Sequence, residues 1–230
     1  MPEHHRESRK VAATQTDAAS AASDSPFAPR SAGADLRRLR ARLSEAPAPS
    51  ARGRGDHDLN PGMDRKAELV PASVLIPIVM GSEPQVLFTR RAAGLHDHAG
   101  EISFPGGRIE PSDADPIAAA LRETEEELGL PRANIEVWGS LDAYETRTGF
   151  RVAPIVGVVF PPLVLHPDPR EVAEVFEVPL AFLLDRANHR REEREAGGAM
   201  RQFHAIRFGP HVIWGATAGI VMNLCEWIER

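Results

Sequence analysis

Cysteine is nearly absent from this 230-residue chain: the single one is Cys225. No intrachain disulfide and no cysteine-built zinc site can form, and a reducing, cytoplasmic setting is expected. Aromatic residues make up only 6% and there is one tyrosine, Tyr144. No apolar run reaches the ~18–20 residues of a membrane span, and the opening MPEHHRESRK lacks the apolar core of a secretory leader. Positive charge is also short, with a formal net charge of −6. A global cationic surface for nucleic acid is excluded, so an anionic small molecule would need a local basic patch or a bound metal.

What is present divides unevenly. Residues 1–66 hold two stretches of small, polar and proline residues, VAATQTDAASAASDSPFAPRSAGA and APAPSARGRGDHDLNPG. Neither offers enough apolar area to offset the entropy of ordering it. Between them Leu36, Leu39 and Leu43 recur at i, i+3, i+7, which predicts one short amphipathic helix over 34–45, docked loosely on the domain or forming only transiently, with a basic partner-binding or targeting element as the alternative. Composition thus assigns 1–66 to a largely disordered extension, removable without loss of activity, and 67–230 to the folded domain. There VLIPIVM, VLFTRR, IEVWGSLDAYET and VAPIVGVVF read as strands. DPIAAALRETEEELGL, part of PLAFLLDRANHR and the C-terminal ATAGIVMNLCEWIER read as helices, giving an α/β or α+β class with a mixed sheet.

The segment 104–130, FPGGRIEPSDADPIAAALRETEEELGL, carries the chemistry. Asp115 is a natural N-cap, Pro116 suits the first helical position and Gly129 is a natural stop. Ile117, Leu121, Thr124 and Leu128 form a stripe that should face the core. Glu123, Glu126 and Glu127 fall at i, i+3, i+4 on a different face. Their mutual repulsion, in the half of the helix where the dipole disfavours anions, is costly. A divalent cation reverses that cost, and three carboxylates suit Mg²⁺ or Mn²⁺. Gly106 and Gly107 allow close backbone approach, and the Arg122 fork can orient the acids. Arg90 and Arg91 supply local positive charge.

These residues resemble the box of the Nudix hydrolases, G-x5-E-x7-R-E-U-x-E-E-x-G-U with U aliphatic. Arg122, Glu123, Glu126, Glu127, Gly129 and Leu130 match in register. Thr124 replaces an aliphatic residue, and the first acidic position is Asp113, with eight residues between it and Arg122. Upstream, LFTRRAAGLHDHAGEISFPGG resembles the motif of the coenzyme A pyrophosphatase branch at Leu87, Thr89, Ala92, Gly100, Phe104, Pro105, Gly106 and Gly107, with His96 where that motif has Arg. The resemblance implies a Nudix α/β/α sandwich with a mixed β-sheet and a loop-helix-loop box. It implies hydrolysis of coenzyme A or acyl-CoA with Mg²⁺ or Mn²⁺ on Glu123, Glu126 and Glu127. Arg122 would hold the ligands, and Arg90, Arg91, His96, Gly106 and Gly107 would contact substrate. Glu171 is the candidate general base or additional ligand, with Glu126 or Glu127 as alternative bases and Glu174 and Glu145 behind them. Thr146–Phe150 is a candidate substrate loop. ADP-ribose or a dinucleotide is the rival substrate, and a non-catalytic nucleotide-binding module is the rival class. The expected partner is an anionic small molecule rather than nucleic acid or membrane, and a homodimer is compatible with the chain.

Overall fold

The computed structural model describes residues 32–45, 53–63, 66–95 and 97–229. Its centre is a pair of ten-residue strands, β2 (Val70–Val79) and β8 (Phe150–Val159), which run parallel in unbroken register from Val70↔Phe150 to Val79↔Val159. Both are almost continuously apolar because a central parallel pair is buried on both faces. Strand β3 (Gln85–Arg91) pairs antiparallel with β2 and with β9 (Val172–Pro179), and the short β4 (Ile102–Ser103) pairs with β3. On the other side β6 (Ile135–Ser140) and β7 (Tyr144–Glu145) pair with β8, and β1 (Arg54–Gly55) joins β7 in parallel. Strand β5 (Gly106–Arg108) lies antiparallel to the start of β2.

Side chains alternate across this mixed sheet. Leu75, Leu87, Ile155 and Val159 face helix α2 (Pro116–Leu128) through Ala120 and Leu128. Ile76, Ile78, Phe88, Val156 and Val158 face the opposite layer, formed by α1 (Ala32–Glu45) and α4 (Gly215–Glu229). The α/β sandwich expected from the sequence is the fold observed. Among the described residues no helix is long and apolar enough to cross a membrane.

Three features depart from the reading of the sequence. The Leu36/Leu39/Leu43 helix is not loosely docked: all three leucines are buried in the main core, Leu39 completely. The Arg42 guanidinium donates to the Trp227 carbonyl (2.6 Å), and Arg40 pairs with Glu136 (2.6 Å). The physical reason lies in α4, which is apolar nearly all round and needs cover on two sides. Residues 53–63 are drawn in as well. Asp56 accepts from the Tyr144 hydroxyl (2.8 Å), and Asn60 Oδ1 accepts from the Gln202 amide (2.9 Å). We therefore place the start of the folded unit no later than residue 32; residues 1–31 lie outside the described part.

Second, after α3 (Leu180–Leu184) the chain forms a separate antiparallel sheet of β10 (His189–Ala196), β11 (Ala199–Phe208) and β12 (His211–Trp214). The charged run RREEREA hides its alternation, yet Gly197-Gly198 announces the hairpin. Both residues have positive φ (62° and 77°), as a two-residue type I′ turn requires. Third, Glu127 does not sit on a solvent face of α2. It is 4% exposed and shares the buried side with Ala120, Thr124 and Leu128, while Ile117 and Leu121 are only partly covered. Cys225 is buried in α4, and burial pushes its thiol up to about 12, so it is an inert core residue.

Candidate active site

Helix α2 begins and ends as its sequence dictates. Asp115 caps it by accepting from Ala118 N–H (2.8 Å), Pro116 occupies the first turn and Gly129 stops it in the left-handed region. Its last carbonyls are taken by the loop between β8 and β9: His166 N–H donates to Leu128 O (2.7 Å) and Asp168 N–H to Glu127 O (2.9 Å). Those bonds fix the approach of Glu171, whose own carbonyl accepts from Ala92 N–H (2.8 Å) at the end of β3. Thr124 is tolerated inside the core because its hydroxyl bonds Ala120 O (2.7 Å).

The FPGG turn closes the site from the other side. Gly106 adopts φ +151°, and a Cβ there would strike the β2 backbone at Ser73 O and Val74 Cα. Its N–H donates to Glu127 Oε2 (3.3 Å). At Gly107 a Cβ would lie 2.5 Å from the Glu123 carboxyl carbon, so the missing side chain is what admits that carboxylate. Phe104, stacked on Phe88 (4.8 Å), anchors the turn in the core.

Arg122 organises the acids. Its Nε and Nη2 grip both oxygens of Asp113 (3.0 Å each), its Nη1 donates to Glu123 Oε1 (2.9 Å) and Glu126 Oε2 (3.1 Å), and its Nη2 also reaches Arg108 O (3.1 Å). This bidentate grip gives Asp113 a place that spacing alone left open. It also holds the Asp113 carboxyl below the usual carboxylate range, while the carboxylates around Arg122 keep that guanidinium firmly charged. An Asp113→Asn variant should therefore keep its fold but let Arg122 swing. Turnover falls by roughly 10–100-fold and the metal concentration for half-activity rises, measured by metal titration of initial rates. Unchanged metal dependence would remove Asp113 from the site.

Glu127 is the electrostatic centre. Burial raises its pKa to about 8; the charges of Glu123 and Glu171 push the same way, while Gly106 N–H and Arg91 oppose. Glu123 is raised too, chiefly by burial, and again Glu126 and Glu171 contribute. Glu123 thus feels the charges of Glu126 and Glu171, and Glu127 those of Glu123 and Glu171. As the side chains stand, no three such groups among the described residues converge to hold an ion, since Glu123 and Glu126 each lend an oxygen to Arg122. The donor set nonetheless fits a hard divalent cation: all-oxygen, anionic and partly desolvated, with Arg122, Arg91 and the Gly106 N–H offsetting part of its charge.

The other candidates separate by face. Arg91 lies on the α2 side, within reach of the Glu127 charge. Arg90 lies on the other: Nη2 pairs with Glu174 (2.7 Å), which also meets His211 Nε2 (3.2 Å). The structure therefore does not bring Arg90 or Glu174 to the carboxylates. Glu145 is tied to Arg151 (3.0 Å), and His98 to Glu101 (2.8 Å). In the 146–150 loop, Arg147 N–H donates to Asp56 Oδ2 (2.7 Å) and Lys66 Nζ to Thr148 O (2.9 Å). Arg108 stands over the Phe150 ring at 5.7 Å. His96 lies outside the described residues.

With this geometry in place, comparison with known proteins gives the family. The NUDIX domain model matches residues 70–199. The protein from Photorhabdus laumondii named uncharacterized Nudix hydrolase NudL is 40% identical over 158 residues, covering 69% of this chain and 84% of its own. Its namesake from Escherichia coli K12 is 40% identical over 153 residues, 66% of this chain and 80% of its own. Among solved structures, a MutT/nudix family protein from Enterococcus faecalis aligns over 86% of this chain and 73% of its own at 14% identity, with a TM-score of 0.45. The chain belongs to the Nudix hydrolases, metal-dependent pyrophosphohydrolases.

Proposed function

We propose that this chain hydrolyses the diphosphate of coenzyme A or an acyl-CoA, releasing 4′-phosphopantetheine, acylated where the substrate was, and adenosine 3′,5′-bisphosphate. One observation carries the reading: the residues of the coenzyme A-type motif are structurally continuous with the box. Gly106 and Gly107 end that motif, and they are the residues that bond Glu127 and admit Glu123.

Glu123, Glu126 and Glu127 would hold Mg²⁺ or Mn²⁺, which when bound neutralises the diphosphate and acidifies water. Arg122, braced by Asp113, fixes the rotamers of Glu123 and Glu126. Glu171 takes the proton of the attacking water, and the backbone bonds of loop 166–171 to α2 and to the end of β3 support this reading by restraining the loop that carries it. The Gly106–Gly107 backbone, with no side chain in the way, lets the diphosphate approach. Arg91 adds positive charge on the same face, where an anionic substrate in an acidic protein requires it.

The test is product analysis by chromatography on coenzyme A, several acyl-CoAs, ADP-ribose and dinucleotides with Mg²⁺ or Mn²⁺. Coenzyme A or an acyl-CoA is expected to show the highest kcat/KM, by about 10-fold or more over ADP-ribose. A preference for ADP-ribose or a dinucleotide would overturn the substrate and keep the chemistry.

A further inference from the structure

Strands β10 and β11 set Arg194 directly opposite Arg201. Cross-strand partners project to the same face, so two guanidinium groups share it and repel. Neither has an acidic partner among the described residues. On that face Glu192 is engaged by Arg207 (2.9 Å); from the other face Glu193 takes the Gln202 side-chain amide (3.0 Å). The Nε of Arg201 is enclosed and has no hydrogen-bond partner among the described residues. An enclosed donor without an acceptor is costly, and an acceptor that is also anionic would relieve the repulsion of the pair as well.

The same face carries rings. Phe203, two residues from Arg201, meets Trp214 edge-on at 5.4 Å and 66°. The Arg194 guanidinium stands 5.8 Å from the Trp214 ring. Two forks beside a half-buried indole suit a ligand with both a phosphate and a flat base. The chain also connects this face to the box. Strand β12 leads from Trp214 directly into α4, where Thr217 Oγ1 donates to Ile102 O (3.0 Å), three residues before Pro105 and the Gly106–Gly107 turn.

We propose that Arg194, Arg201, Trp214 and Phe203 bind a phosphorylated nucleoside, and specifically the 3′-phosphoadenosine end of the substrate: the arginine pair on the 3′-phosphate, the base on Trp214. The assignment of that end rests on the coenzyme A reading above. The experiment compares the full chain with Arg194→Gln and Arg201→Gln by two measurements. Steady-state kinetics use coenzyme A and 3′-dephospho-coenzyme A. Calorimetric titration uses adenosine 3′,5′-bisphosphate, AMP and inorganic phosphate.

In each variant KM for coenzyme A should rise about 10-fold with little change for the dephospho substrate. The Kd of the bisphosphate should weaken by a similar factor, with AMP unaffected. The Tm without ligand should hold or rise, because like-charge repulsion is relieved. The proposal is overturned if both substrates lose equally, if KM and Kd do not move, or if the only change is a lower Tm, which would make the arginines structural. Should the wild type not turn over coenzyme A at all, the arginine-dependent Kd of the bisphosphate still decides the site, and only the substrate reading falls.

Discussion

Glu127→Gln is expected to lower kcat by two or more orders of magnitude at saturating Mg²⁺ or Mn²⁺. The amide keeps the shape, and one oxygen can still accept from Gly106 N–H, but it removes one charge from the carboxylates proposed to hold the metal. The same substitution should make the metal-free protein more stable at alkaline pH, and the sign follows from the proton. Glu127 has a folded pKa of about 8 against the 4.5 usual for a glutamate, so the folded state binds the proton more tightly. Its contribution is complete below about pH 4.5 and is lost as pH rises towards 8, at about 1.4 kcal/mol per unit. A divalent ion takes the proton's place, so metal binding should tighten over the same window with release of a proton. Gln cannot ionise, so the variant should lose this pH dependence and most of the metal-induced rise in Tm. Thermal melts at pH 5, 7 and 9, with and without metal, separate these effects. Near-wild-type turnover, or an undiminished metal-induced shift in Tm, would remove Glu127 from the metal site.

The helix and its acids were legible because their rules are local. Asp115, Pro116 and Gly129 mark the ends of α2 within one turn each, and the i, i+3, i+4 carboxylates state their conflict without a partner in view. The partners were not legible. Asp113 gains its place from a guanidinium nine residues on, through a loop whose path no periodicity encodes. Arg90 and Arg91 look equivalent in sequence. The pleat and a register shift between them send one to Glu174 and bring the other within reach of Glu127. Glu127 reads as exposed on a helical wheel, but the wheel cannot show that the FPGG turn folds over it. The β10–β12 sheet was missed because its strands bury little on one side, leaving Gly197-Gly198 as the signal.

Leu39→Ala is expected to cost on the order of 3 kcal/mol, within the ~2–5 kcal/mol typical of deleting a buried leucine side chain. Leu39 is fully buried in the main core between β6 and α4. The loss is a large share of a stability of about 5–15 kcal/mol. This reverses the expectation from composition that residues 1–65 are dispensable. Removing them would strip Leu36, Leu39 and Leu43 from α4, and with them the Arg42–Trp227 and Asn60–Gln202 bonds. Such a truncation should be insoluble or aggregate. Folded Leu39→Ala protein should nevertheless keep kcat and KM near wild type, because α1 lies across the sheet from α2 and touches none of Glu123, Glu127 or Arg122. Denaturant titration measures the loss as a lower midpoint with unchanged slope, and initial rates well below the melting temperature measure activity. A change under 1 kcal/mol would mean that α1 is docked as weakly as its sequence suggests. A fall in kcat in the folded variant would mean that the two faces of the sheet are coupled.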